Sequence, residues 1–270
     1  MTVTDPTTTA SRTLLGTGIH MHHVDHGDPN GDPVVLIHGY SDSGYSFSRV
    51  LPQLEPGYRV HAVDLRGHGA TDRPADGYGI GSLAADVVAF LDAVGIARAS
   101  IVGHSLGTLV ARRVAETNPE RVDRLALIGA VRTPVNDGVL ALHREVIALD
   151  QAALPEFARE FQESTVHSPI PEDFLERAVE ISRTMPLAVW RAVVDGMVGF
   201  DDAADLRRIS APTLLLWGEH DAYFGRDEQD FLATAITRAR LQVYGAAGHA
   251  PHWEMPEQVA EDLQSFLTEG

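Results

Sequence analysis

The sequence contains no cysteine and no lysine, and each absence removes classes of chemistry. Without cysteine the chain forms neither disulfides nor thiolate metal sites, and it has no cysteine nucleophile. All 21 basic residues are arginines. The lack of lysine excludes Schiff-base chemistry, lysine-bound pyridoxal phosphate and a phosphate-binding P-loop.

Long apolar runs and excess positive charge are also missing. No window approaches about eighteen uncharged apolar residues, and residues 1–11 have neither a basic region nor an apolar region typical of a secretion signal. We therefore expect a soluble, cytoplasmic protein without a membrane partner. The formal net charge of −17 repels phosphate backbones, so no nucleic-acid partner is expected.

The length of 270 residues fits one sizeable domain or a domain that carries an insertion. Residues 1–11 are threonine-rich and lack periodicity, which predicts a disordered tail. The order of strand-like and helical runs after residue 11 predicts a core at 12–130 and 206–270, with a helical cap at 131–205. Nothing in the sequence indicates the oligomeric state.

The stretch Gly103-His104-Ser105-Leu106-Gly107 is the centre of the pattern. An apolar run at 99–102 precedes this Gly-x-Ser-x-Gly motif and predicts a strand, while residues 109–117 have helical spacing. A serine on such a sharp strand-to-helix turn projects its hydroxyl at the carboxyl edge of a sheet. The flanking glycines are needed because side chains there would collide with neighbouring backbone.

Strand-like and helical runs alternate along the rest of the core. Further strands are expected at 14–24, 34–37, 59–63, 124–128, 212–217 and 241–244, and further helices at 82–94 and 256–267. Ser82 is the expected N-cap of the helix at 82–94. Residues 27–32 are expected to form the turn of an early hairpin. This alternation predicts an α/β fold with a doubly wound, mostly parallel sheet that binds ligands at the carboxyl ends of its strands.

The alternation stops between residues 131 and 205, where four helical patterns occur at 138–149, 155–164, 171–184 and 186–198. They predict an inserted, all-helical cap. Most of its large apolar residues are expected to pack the cap onto the core. The candidates for contact with a substrate are Phe157, Phe161, Phe174 and Trp190.

Four histidines lie close together at positions 20, 22, 23 and 26. Imidazoles are common metal ligands, but no carboxylate follows at a familiar ligand spacing. His20 and His22 alternate with Ile19 and Met21, so we interpret them as the solvent-facing side of an edge strand. No metal site is predicted.

Four separate pieces of sequence resemble the α/β-hydrolase fold superfamily over residues 12–268: Ser105 in its motif, His38-Gly39 after an early strand, Asp221 in Gly218-Glu219-His220-Asp221, and His249 in Gly248-His249-Ala250-Pro251-His252. Their order is nucleophile, acid, base. The resemblance implies a triad of Ser105, Asp221 and His249. It also implies an oxyanion hole formed by the backbone N–H groups of Tyr40 and Leu106.

The chemistry of the residues agrees with these roles. A serine hydroxyl is a weak nucleophile that needs a nearby base, and histidine titrates in the right range to accept and return its proton. A carboxylate then holds the imidazole in one tautomer. His252 competes with His249 as the base; we prefer His249, and assign His252 and Trp253 to the substrate surroundings.

Residues that the chain lacks narrow the reaction within the superfamily. Dehalogenases and epoxide hydrolases of this fold use a carboxylate nucleophile, and epoxide hydrolases also use cap tyrosines, whereas position 105 is serine and the cap has no tyrosine. Hydroxynitrile lyases use a lysine. The main hypothesis is therefore hydrolysis of a small to medium carboxylic ester or lactone without any cofactor.

Two other functions stay open. Carbon–carbon bond hydrolases of meta-cleavage products share the triad and a tryptophan shortly after the base, as at Trp253, and Arg191 is a candidate to bind their dicarboxylate substrate. A small-molecule receptor that retains the triad is the alternative from a different functional class.

Overall fold

The computed structural model describes residues 8–269, which contain an eight-stranded sheet in the order β1-β2-β4-β3-β5-β6-β7-β8. The strands are β1 (Thr8–Leu14), β2 (His20–Gly27), β3 (Asp32–Ile37), β4 (Tyr58–Val63), β5 (Ala99–His104), β6 (Val122–Ile128), β7 (Thr213–Gly218) and β8 (Ala239–Tyr244). The pairings β1–β2 and β2–β4 are antiparallel, and all the others are parallel. The prediction of a mostly parallel sheet is confirmed.

Helices cover both faces of this sheet. The helices among the described residues are α1 (Ile80–Ala93), α2 (Leu106–Thr117), α3 (Asp137–Ala148), α4 (Leu154–Glu163), α5 (Glu172–Thr184), α6 (Leu187–Val198), α7 (Arg226–Ala235), α8 (Pro251–Glu254) and α9 (Pro256–Thr268). Successive side chains of β3 point to opposite faces, so Val35 joins the apolar cluster that includes α1 and α2, while Leu36 joins the cluster that includes α9. The uninterrupted apolar runs of the central strands follow from this double coverage.

The N-terminal region differs from the prediction. Residues 8–11, expected in a disordered tail, belong to β1, and the expected strand at 14–24 is broken at Gly18, which has φ +86°. The hairpin joins β1 to β2, not β2 to β3, because the turn lies at residues 15–19. β2 is an inner strand between β1 and β4, so its interpretation as an edge strand is wrong. Residues 1–7 lie outside the described residues.

The four helices between β6 and β7, which we call the inserted helices, are α3 to α6. Their bounds differ from the predicted ones by no more than a few residues. Pro171 and Pro186 directly precede α5 and α6, where a fixed φ suits the start of a helix. α1 begins after Gly79, and not at Ser82 as predicted. No helix within residues 8–269 is long and apolar enough to cross a membrane.

Candidate active site

Ser105 lies at the turn between β5 and α2 in a strained backbone conformation. Its φ is +51°, a region that residues with a side chain rarely occupy, and its amide donates a hydrogen bond to the carbonyl of Ile128 at 2.9 Å. A Cβ on Gly103 would collide with the carbonyl of Gly107, and a Cβ on Gly107 would collide with the carbonyl of Ile37. The two motif glycines are therefore required by close backbone approach.

Asp221 and His249 form a buried pair at the carboxyl end of the sheet. Asp221 follows β7 and His249 follows β8, and the imidazole Nδ1 lies 2.8 Å from Asp221 Oδ2. The other carboxylate oxygen, Oδ1, accepts the amide hydrogens of Tyr223 and Phe224 at 2.8 and 3.0 Å. Both side chains are at most 5% exposed. The carboxylate is thus oriented on both sides and fixes one edge of the imidazole.

Ser105 and His249 both lie beside the carboxyl end of β6. The His104 Nε2 is 3.2 Å from the carbonyl of His249, and the two imidazole rings are 5.1 Å apart. A Cβ on Gly129, which follows the residue bonded to Ser105, would lie 3.0 Å from the ring of His249. Among residues 8–269 no direct hydrogen bond joins Ser105 to His249. Catalytic hydrogen bonds commonly tighten only in the substrate complex.

The loop after β3 lies against the serine. A Cβ on Gly39 would be 3.3 Å from the Cβ of Ser105, so this glycine permits close approach. The next residue, Tyr40, is 3% exposed, and its hydroxyl donates a hydrogen bond to the carbonyl of Trp190 in α6 at 2.6 Å. The backbone predicted as an oxyanion donor is therefore tied to an inserted helix.

A second set of hydrogen bonds ties this loop to α4 and α5. Ser41 has φ +61°. Gln162 Nε2 donates to the hydroxyls of Ser182 and Ser41 at 2.6 and 3.3 Å, and the hydroxyl of Ser182 donates to the carbonyl of Ser41 at 3.0 Å. The sequence analysis missed this buried network, since single serines and glutamines at these spacings carry no recognisable motif.

Aromatic side chains surround Tyr40. Its ring contacts those of Phe161 and Trp190 with centroids 5.7 and 4.9 Å apart, and Phe157 lies 5.7 Å from Trp190. Tyr223, which the sequence analysis also missed, lies 5.1 Å from His249 and 6.3 Å from Phe161. Three of the four predicted cap residues are thus brought together beside the Asp221–His249 pair.

A cleft of about 750 Å³ opens between α3 and α4. Phe157, Phe161 and Tyr223 are among its lining residues, and the ring of Tyr223 lies 5.1 Å from that of His249. Its charged lining residues are three exposed carboxylates, Glu145, Asp150 and Glu160. A larger cavity of about 960 Å³, between β2 and α5, has none of the predicted site residues in its lining.

The remaining predicted residues lie elsewhere. Phe174 and Trp253 pack together, with ring centroids 5.2 Å apart, in a small apolar cluster separate from Tyr40. His252 is fully buried, and its Nε2 lies 3.0 Å from the hydroxyl of Ser46, which also accepts the indole N–H of Trp253. None of these three residues lines the cleft between α3 and α4.

Several imidazoles near Ser105 stay uncharged. Burial lowers the pKa of His38 and His104, and it lowers the pKa of His68 and His252 to about 3. The nearby His252 and His249 lower the pKa of His104 further. His38 also accepts the amide hydrogen of Leu65 at 3.0 Å, which braces the loop after β3.

Known proteins share this architecture along nearly the whole chain. The chain is 30% identical over 271 residues to 2-hydroxymuconate semialdehyde hydrolase of Pseudomonas sp. (strain CF600), covering 96% of this chain and 94% of that protein. It is 30% identical over 272 residues to a non-heme chloroperoxidase of Streptomyces lividans, covering 93% and 96%. A thermophilic esterase from Thermogutta terrifontis superposes with a TM-score of 0.83 at 25% identity, covering 96% and 98%.

The family match includes Tyr40, the serine turn and the first two inserted helices. The pattern of the alpha/beta hydrolase fold family matches residues 32–175, more than half of the sequence. Together with the two 30% identical relatives and the sheet order, this match shows that the chain belongs to the α/β-hydrolase fold family of enzymes.

Proposed function

We propose that this protein is a serine hydrolase that cleaves a small to medium carboxylic ester or lactone through an acyl-enzyme intermediate. The observation that supports it most directly is that Ser105 and the Asp221–His249 pair lie together at the carboxyl end of the sheet. Ser105 has a positive φ, and the two members of the pair are 2.8 Å apart. In this proposal Ser105 is the nucleophile, His249 the general base and Asp221 the residue that orients the imidazole.

The proposed reaction has two stages. Ser105 Oγ attacks the carbonyl carbon while His249 Nε2 accepts the hydroxyl proton, which then passes to the leaving alcohol oxygen. In the second stage His249 takes a proton from water, the water oxygen attacks the acyl carbon, and the proton returns to Ser105 as the acid leaves. Asp221 accepts a hydrogen bond from the Nδ1–H group throughout and stabilises the imidazolium.

Two backbone N–H groups are proposed to bind the negative oxygen of the tetrahedral intermediate. Leu106 is the first residue of α2, where the N–H groups have no partner within the helix and the helix dipole favours negative charge. Tyr40 provides the second N–H from the loop that abuts Ser105. Loss of one such donor typically raises the barrier by about 3 kcal/mol.

The inserted helices are proposed to act as the cap that selects the substrate. The cleft between α3 and α4 and its aromatic lining fit an uncharged substrate with an apolar acyl or alcohol group. The esterase from Thermogutta terrifontis has the same fold, which agrees with this assignment.

Hydrolysis of a carbon–carbon bond is the second candidate, because one relative is a 2-hydroxymuconate semialdehyde hydrolase. Arg191, considered above as the binder of a dicarboxylate, bonds the carbonyls of Leu149 and Val146 at 2.5 and 3.4 Å. The guanidinium of Arg191 is thus hydrogen-bonded to the end of α3. This contact favours the ester or lactone over a dianionic substrate.

One screen separates the candidates. Hydrolysis of p-nitrophenyl esters of increasing acyl length, of lactones and of a 2-hydroxy-6-oxo-dienoate is compared for the native protein and the Ser105→Ala variant. We expect turnover of esters or lactones that Ser105→Ala lowers by at least about 10³-fold. Turnover of the dienoate alone would favour the second candidate, and slow single turnover with retained ligand would favour a receptor.

A further inference from the structure

We propose that His23, Asp25 and His61 form a binding site for a divalent transition-metal ion of the zinc class. This site is outside the candidate active site and independent of the proposed hydrolase function. Its three potential ligand atoms, one from each residue, lie within 4.8 Å of one another. Two imidazole nitrogens and one carboxylate oxygen are a donor set that zinc accepts in proteins.

The pairing of two inner strands brings these residues together. His23 and Asp25 are two residues apart on β2, so their side chains share one face of the sheet. In the antiparallel register, Asp25 lies directly opposite His61 on β4. Because all three positions are within paired strands, the backbone holds the ligands in place.

The distances are close to those of a metal site. Asp25 Oδ1 lies 2.6 Å from Nδ1 of His23 and 2.6 Å from Nδ1 of His61. Bonds of about 2.0 Å in tetrahedral geometry place neighbouring ligand atoms about 3.3 Å apart. To admit the ion, each of the two nitrogens must therefore move away from the carboxylate oxygen by less than about 1 Å.

The surroundings support the ligand roles. His23 Nε2 lies 2.9 Å from the hydroxyl of Thr13, which can accept the Nε2 hydrogen and so leave Nδ1 free to bind the ion. Phe90 of α1 packs against both imidazoles, with centroids 4.9 and 5.4 Å away. The Phe90 ring therefore covers one side of the site.

Charge and access also fit a cation. Asp25 brings one negative charge, and no arginine forms an ion pair with it within residues 8–269. The two imidazoles are at most 5% exposed, but the carboxylate is 36% exposed. An ion can thus enter along Asp25, with water as the fourth ligand. The Nδ1 of His61, 2.6 Å from Asp25 Oδ1, is the nitrogen that faces the site.

The simplest alternative is that the carboxylate of Asp25 only accepts hydrogen bonds from the two imidazoles. Metal binding distinguishes the two, because an ion that binds only the folded protein raises its thermal stability. The experiment uses full-length, tag-free protein dialysed against a chelator and then titrated with Zn²⁺ or Co²⁺. It records the number of ions bound, the visible absorption of bound Co²⁺ and the melting temperature.

We expect one ion per chain and a rise in melting temperature. His61→Gln and Asp25→Asn should weaken binding more than about 100-fold, and Thr13→Val, which leaves all three ligands intact, about tenfold. His20→Gln, on an exposed histidine of the same strand, is the matched control and should bind as the native protein does.

Two results would overturn the site. One is that none of the three measurements detects a bound ion when the metal is in 100-fold excess over the protein. The other is unchanged binding in both His61→Gln and Thr13→Val, which would place the ion elsewhere, for example at the stacked rings of His167 and His220. If His61→Gln fails to fold, as judged by circular dichroism, Thr13→Val decides alone.

Discussion

The hydroxyl of Tyr40 donates a hydrogen bond to the carbonyl of Trp190 at 2.6 Å, and this bond joins the loop beside Ser105 to α6. The two rings also pack edge to face, with centroids 4.9 Å apart. The position of the proposed oxyanion donor at Tyr40 therefore depends on an inserted helix that is 150 residues away in sequence.

Tyr40→Phe tests this dependence. Removing the hydroxyl should lower the free energy of unfolding by about 1 kcal/mol, as for a typical buried hydrogen bond. It should also lower kcat for the best ester about tenfold, because a displaced oxyanion donor stabilises the transition state less. The measurements are urea unfolding and steady-state kinetics.

Tyr244→Phe is the control, since the Tyr244 hydroxyl bonds Asp262 at 2.7 Å on the side of the sheet that contacts α9. It should lose similar stability and keep its kcat. Equal kcat in the two variants would show that the bond between Tyr40 and Trp190 serves stability alone.

Replacing His249 and His252 separately tests which imidazole is the base. His249→Ala should lower kcat about 10⁴-fold or more, and Asp221→Asn should lower it to a similar extent by disturbing the tautomer of His249. His252→Ala should keep kcat within about tenfold, since its ring is fully buried and bonded to Ser46. Abolished turnover in His252→Ala, with turnover kept in His249→Ala, would reverse the assignment.

The acidic lining of the cleft predicts discrimination against anionic substrates. At low ionic strength kcat/KM for an uncharged p-nitrophenyl ester should exceed that for a hemisuccinate ester about fivefold, because Glu145, Asp150 and Glu160 repel the carboxylate. At 1 M salt the Debye length falls to about 3 Å, so the difference should shrink.

Glu145→Gln combined with Glu160→Gln should also reduce this discrimination. Glu257→Gln, at an exposed position of α9, is the control and should leave the discrimination unchanged. Equal or faster hydrolysis of the anionic ester at low salt would contradict the prediction.

The buried histidines predict a loss of stability in acid. Burial lowers the pKa of His68 and of His252 to about 3, below the value of about 6.5 in the unfolded chain. Between pH 6.5 and 3 the unfolded state therefore binds more protons, so stability falls as the pH falls. In this window each histidine should lower the free energy of unfolding by about 1.4 kcal/mol for every unit by which the pH falls.

The measurement is the free energy of unfolding in urea at a series of pH values. His252→Gln should flatten the dependence between pH 6 and 4 by about one proton. His220→Gln, on an exposed histidine, should not change it. An unchanged slope in His252→Gln would mean that burial does not keep this imidazole neutral.

The sequence by itself determined the sheet class and the elements around Ser105. Hydrophobic periodicity is a local property, so the strands at β3, β5 and β7 and the four inserted helices were predicted within a few residues. The serine motif was also readable, because its glycines are required by close backbone approach that any sequence with this turn must satisfy. The N-terminal hairpin was mispredicted because the alternation of residues 14–24 hid the turn at Gly18.

Tertiary structure alone decided which distant side chains meet. The register of β2 against β4 places His61 opposite Asp25, and the packing of α6 on the core places the carbonyl of Trp190 at the hydroxyl of Tyr40. Packing likewise places the guanidinium of Arg191 at the end of α3, and it places Phe174 in a different apolar cluster from Phe161. Such contacts depend on strand register and helix orientation, which the spacing of residues along one chain does not specify.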